Sequence, residues 1–377
     1  MMTYLDNSAT TKPEKEVADK IYKMLTVNFG NPSSFHKAGL DANDEITRAR
    51  EIIAKTLSCQ SEEIYFTSGG TEANNLAIFG AAEAGKRRGN RIVTTAIEHE
   101  SVLKAADELE KRGFEVIRLM PDSKGRISEE QIFDAVNDKT ILVTMMFVNN
   151  EVGSILPVSS IKKAVKRANA PALIHIDCVQ AYSKTEIKPE KLGADLISIS
   201  SHKIHGAKGV GALYVKKGVR ILPMMFGGEQ EKRLRPGTQA APLIAGFGKA
   251  AEMIPDYKQQ AEKIKELNAY AKQELLKIDG VIINSPEEGS DYIINLYVPT
   301  FMTSQTVVQH LSSQYGVYVS NGSACAKGKK SHVLTAMKIS DKIIDKSIRI
   351  SFSRNTTKED IDSLINALRE TVRDYPV

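Results

Sequence analysis

Cysteine is scarce in this chain. Three residues, Cys59, Cys178 and Cys325, lie far apart in 377 positions and form no C-x-x-C pair. That spacing excludes a disulfide framework and a zinc cluster and suits a reducing, cytoplasmic compartment. Long apolar runs are also lacking, so no membrane span is expected. The opening Met1-Met2-Thr3-Tyr4-Leu5-Asp6 has no basic region followed by an apolar core, so no signal peptide is expected. Charge of one sign is nearly balanced: the net value of +5 is too small at this length to argue for nucleic acid or a membrane surface. Internal repeats and low-complexity tracts are absent. The 42% apolar and 26% charged residues are ordinary for a soluble globular protein, long enough for a large domain and a smaller one.

What is present is alternation. Strand-like runs at 63–66, 91–97, 114–120, 140–148, 172–177, 195–200 and 210–215 are separated in several places by helical spacing, as in 72–85 and 101–112. This order predicts an α/β fold, a mainly parallel sheet covered by helices. The pattern changes near Pro255. Asp256 reads as the cap of a helix whose apolar face runs Ala261, Ile264, Leu267, Ala271, Leu275, Ile278, with Gly280 as its stop. Strands at 292–298, 316–319 and 347–352 and helices at 304–315 and 358–373 then predict a compact α+β unit. The expected domains are therefore 13–254 and 255–377, with residues 1–12, too polar and irregular to place by pattern, packing on the smaller one.

The strand ends carry the polar residues. Ser200-Ser201-His202-Lys203-Ile204-His205-Gly206 follows the run at 195–200. Active sites of α/β sheets lie at the carboxyl ends of strands, and a lysine there can form a Schiff base with an aldehyde cofactor. An arbitrary loop lysine is the competing reading. Ser68-Gly69-Gly70-Thr71-Glu72 joins a strand to a helix and suits a phosphate, or is an ordinary turn; it lacks the lysine of a P-loop. Asp177 ends His175-Ile176-Asp177 and either ion-pairs with a pyridine nitrogen or caps a helix. His99 ends another run and either shuttles a proton over a cofactor ring or is structural. Asn149-Asn150-Glu151 closes a fourth strand with amide donors.

Taken together with Tyr4-Leu5-Asp6-Asn7-Ser8-Ala9-Thr10-Thr11, Phe29-Gly30-Asn31-Pro32-Ser33-Ser34, Arg235-Pro236-Gly237-Thr238 and Gly322-Ser323-Ala324-Cys325, these motifs span nearly the whole chain. In that order the sequence resembles the pyridoxal-phosphate cysteine desulfurases of the NifS/IscS family, which have the fold type I architecture with a seven-stranded large-domain sheet. The resemblance implies that Lys203 holds pyridoxal 5'-phosphate and moves protons on the substrate. It implies that Asp177 pairs with the pyridinium nitrogen, that His99 stacks on the ring, and that Asn150 and Gln180 lie near its phenolic oxygen. Gly70, Thr71, Ser200 and His202 would bind the phosphate, and Thr238 would complete the phosphate site of a partner subunit in a homodimer. Arg349 would clamp the substrate carboxylate.

By the same resemblance Cys325 takes sulfur from L-cysteine as a persulfide, releasing L-alanine, and delivers it to an acceptor such as an iron–sulfur scaffold or a thiolation enzyme. Its neighbours, small residues and lysines, should favour backbone motion and the thiolate. Phe147, Asn321 and His205-Gly206-Ala207 depart from the family pattern. The competing readings are another enzyme on this fold, a selenocysteine lyase or aminotransferase that would not need Cys325, and a non-catalytic scaffold or sulfur carrier.

Overall fold

A computed structural model describes residues 2–322 and 330–377. Its strands are β1 (Thr3–Tyr4), β2 (Ile64–Thr67), β3 (Arg91–Thr95), β4 (Glu115–Leu119), β5 (Thr140–Met146) and β6 (Leu173–Asp177). They continue with β7 (Leu196–Ser200), β8 (Gly211–Val215), β9 (Ile282–Ile283), β10 (Ile293–Tyr297), β11 (Val317–Tyr318) and β12 (Ser347–Ser351). Seven of them form one sheet in the order β2-β8-β7-β6-β5-β3-β4. Pairing is parallel throughout except at β8, which runs antiparallel to both β2 and β7. The expected mainly parallel α/β architecture is therefore present.

Near-continuous apolar runs make these strands because both faces of the sheet are covered. Neighbouring residues go to opposite sides: Ile92, Leu142, Leu196 and Leu213 join one core, while Val93, Val143, Ile197 and Ala212 join the other. Helices Gly70–Gly85 and Glu100–Lys111 cover the first core; Lys15–Thr26, Lys37–Leu57 and Ala241–Glu252 contribute to the second.

The C-terminal part forms an antiparallel sheet, β12-β10-β9. Asp256 caps the helix Tyr257–Leu275 by accepting from the backbone N–H groups of Lys258 and Gln259. The helix ends earlier than the apolar spacing predicts. Ile278 is buried beyond it, and Gly280 (φ 79°) turns the chain into β9, which has no signature in the sequence. The first residues are ordered by partners remote in the chain. β1 pairs in parallel with β11, Leu5 is fully buried, and Asp6 bridges to Ser351. Residues 8–11 then cross to the turn after β7, where Thr11 N–H donates to the His202 carbonyl at 2.9 Å.

Candidate active site

A cavity of about 390 Å³ opens at the carboxyl ends of the central strands. It is lined by Gly70, Thr71, His99, Asn150, Asp177, Gln180, Ser200, His202, Lys203 and Arg349, ten of the residues expected from sequence. Thr238 is exposed and does not line it. Cys325 lies outside the described residues, although Gly322 and Lys330, on either side of that segment, both line the cavity.

Lys203 sits in a tight turn, Ser201–Lys203, immediately after β7. Its Nζ donates to the carbonyls of Ser8, by a short contact, and Ala9, at 2.8 Å. The turn is pinned from both sides. The Thr11 hydroxyl donates to the His202 carbonyl at 2.9 Å, and the His205 N–H donates to the Thr11 hydroxyl oxygen at 2.7 Å. His205 Nδ1 adds a bond to the Lys12 carbonyl at 2.9 Å, so this departure from the family pattern has a local role in holding the N-terminal strap. Burial, aided by the Lys203 charge, pulls His202 down to about 4, so its imidazole is neutral at pH 7.

Asp177 accepts from the Val179 N–H at 2.9 Å and from Asn74 Nδ2 at 2.8 Å. Asn74 also donates to the Ser101 hydroxyl at 2.9 Å, and that hydroxyl lies 2.8 Å from His99 Nδ1. Because Nδ1 accepts the Ser101 N–H as well (3.1 Å), the neutral ring carries its proton on Nε2. Burial lowers the pKa of His99 against the opposing pull of Asp177. His99 thus caps the helix Glu100–Lys111, which is its structural reading, and it also lines the cavity. Asn74 and Ser101 escape sequence reasoning because their role arises only when positions 74, 101 and 177 meet.

Arg349 is almost fully buried on β12. One terminal nitrogen donates to the Asn150 carbonyl at 2.9 Å and the other to Asp6 Oδ1 at 2.8 Å, while Nε has no partner. A guanidinium so placed can take an incoming carboxylate. Glu151 was visible only as part of an amide-rich turn. It accepts from the Ser331 hydroxyl at 2.5 Å, and a Cβ on Gly322 would come within 3.2 Å of its Oε2. Gly322 has φ +85°, a conformation glycine takes freely.

The cavity fits a phosphate-bearing aldehyde cofactor on its own evidence. Ser200 Oγ is buried without a partner. The helix Gly70–Gly85 begins at the cavity, and a Cβ at Gly70 would meet Val179 at 2.8 Å, so side-chain bulk is excluded there. An amine, a carboxylate and an imidazole converge beside these anion donors. The two described cysteines offer no competing nucleophile. Burial pushes the Cys59 thiol up to about 12 and raises the fully buried Cys178 well above its usual value.

Comparison with known proteins agrees with this geometry. The family model for class-V aminotransferases matches residues 3–364. A cysteine desulfurase IscS of Methanosarcina thermophila is 39% identical over 374 residues, covering 98% of this chain and 92% of that protein. A solved NifS-like protein superposes with a TM-score of 0.93 at 36% identity, covering 99% of this chain and all (100%) of the other. The structure of SspA in complex with cysteine superposes with a TM-score of 0.82 at 33% identity, covering 94% and 100%. With its lysine turn, paired aspartate and buried arginine in these places, the chain belongs to the class-V aminotransferases and, among them, to the NifS/IscS cysteine desulfurases.

Proposed function

We propose that this protein is a pyridoxal-phosphate-dependent cysteine desulfurase in which Cys325 carries the sulfur. The observation that carries the reading is the convergence of Lys203, Asp177, His99 and Arg349 in one cavity between the flanks of the Cys325 segment. When bound, the cofactor supplies an aldehyde for a Schiff base and an electron-withdrawing ring.

The residues divide the remaining work. Gly70, Thr71, Ser200 and His202 would hold the phosphate, and Asn150 and Gln180 would face the ring's phenolic oxygen. Asp177, kept in place by Asn74 and Val179, holds a proton at the pyridine nitrogen. Lys203 supplies the amine and then moves the proton at the substrate α-carbon. His99 would lie over the ring. Arg349 binds the substrate carboxylate, a bidentate contact that lysine does not reproduce. The Cys325 thiolate attacks the substrate sulfur and the carbon–sulfur bond breaks. The net change, L-cysteine plus a thiol giving L-alanine plus a persulfide, balances without an outside oxidant.

The outer sulfur of the persulfide passes to a thiol of an acceptor protein, an iron–sulfur scaffold or a thiolation enzyme, leaving the Cys325 thiol, in the cytoplasm, where thiols stay reduced. The working unit is a homodimer in which the exposed Thr238 of each subunit completes the other's phosphate site. Exposed Met224, Met225 and Phe226 precede that turn and supply apolar surface for the interface. Each subunit divides into a large domain, 13–254, and a small one, 255–377, with the first residues of 1–12 packed on the latter and residues 8–12 reaching across to the former. The test is turnover of L-cysteine by the cofactor-loaded protein with a reductant. Equimolar alanine and sulfide are expected, with Lys203→Ala inactive. Consumption of L-cysteine without alanine would overturn the reading.

A further inference from the structure

Lys184 lies on the turn segment after β6, four residues beyond Gln180. Its Nζ donates to Gln180 Oε1 at 3.0 Å. Gln180 Nε2 in turn donates to the Ser8 carbonyl at 2.9 Å, the same oxygen that accepts from Lys203. An ammonium only donates and a carbonyl only accepts, so these two contacts fix which end of the Gln180 amide is which. The second N–H of Nε2 is left for the cavity that Gln180 lines.

Lys184 is a costly group to keep. Among the described residues no carboxylate pairs with it, and the Tyr292 ring has its centroid 5.4 Å from Nζ. The titratable and charged groups that face it are Lys203, Arg349, His205 and Tyr292. Burial first, then the charges of Lys203 and Arg349, pull it down to about 7. A lysine held among cations at this cost suits a positioning role in the site.

The geometry points to Lys184 as a positioning residue that orients the Gln180 amide so that its N–H faces the cofactor's phenolic oxygen. This deepens the proposed function and rests on it. Without Lys184 the Ser8 carbonyl alone orients the amide, and its oxygen turns inward more readily. The phenolate then loses a donor and holds the proton on the adjacent Schiff-base nitrogen more tightly. The readout is the pH midpoint of the bound cofactor's visible absorption, measured without substrate. Lys184→Met should raise that midpoint by about one unit. Lys184→Arg, which keeps a charged donor, should move it by less than about half a unit. In a Gln180→Ala background, Lys184→Met should lose at least half of its effect, because the two residues act as one unit. Should Lys184→Met not fold, Lys184→Gln carries the same comparison. An unmoved midpoint, or a shift of which more than half survives in Gln180→Ala, would overturn the assignment. A wild type that takes up the cofactor but makes no alanine would overturn the desulfurase reading and leave this readout intact.

Discussion

Glu98, buried beneath the site beside His99, shows how a single carboxyl is placed at a cost. It accepts from Thr95 Oγ1 at 2.6 Å and from the Met146 N–H at 2.8 Å, and burial pushes it up from 4.5 to about 8. A raised carboxyl binds its proton more tightly in the folded chain. The stability it lends is therefore full below pH 4.5 and is lost as pH rises toward about 8. Glu98→Gln, which keeps the acceptor and adds a donor, should flatten the pH dependence of the Tm across that window. Above about pH 8 it should exceed the wild type by ~1 kcal/mol or more in chemical unfolding. At Arg349 the expectation is kinetic. Arg349→Lys should raise KM for L-cysteine at least about tenfold, because an ammonium cannot reproduce a fork of donors; steady-state rates over a substrate series measure it. Site residues at strand ends were legible in the sequence because each stands in a motif next to an apolar run. Asn74 and Ser101 were not, since Asn74 meets Ser101 and Asp177 only by packing across the chain; Lys184 was not, since its bond to Gln180 lies within an irregular turn that no periodic pattern marks.

Among the elements, the strap from Thr3 to Lys12 had the least signature and the most consequence. Its order comes from β11, Ser351 and the His202 turn, all more than a hundred residues away, so no local pattern marks it. Asn7 Nδ2 donates to the Ser351 carbonyl at 2.9 Å, and the Ser8 N–H donates to the Ser351 hydroxyl at 2.8 Å. Leu5, fully buried, anchors it. Leu5→Ala should cost about 3 kcal/mol in urea unfolding. It should also weaken cofactor retention on dialysis, because the Ser8 and Ala9 carbonyls position Lys203. The central strands were legible to within about two residues at each end because a sheet covered on both faces needs continuous apolar runs. β9 was not, being only two residues held by β10.

At the scale of the whole molecule, one subunit assembles the lysine, aspartate, histidine and arginine but leaves Thr238 at its surface. The proposed dimer accounts for this. Phe226, 89% exposed in the single chain, should be covered in it. Phe226→Glu should shift sedimentation toward a monomer and lower cofactor affinity together, and a variant that remains a fully loaded dimer would argue for a different contact face. The central claim concerns sulfur. The most direct measurement is the mass of each cysteine peptide after the cofactor-loaded protein meets L-cysteine without reductant, followed by alkylation. The account predicts one added sulfur atom on the Cys325 peptide, none on those of Cys59 and Cys178, and no alanine from Cys325→Ala. Undiminished alanine from Cys325→Ala, with no sulfur added at position 325, would contradict it.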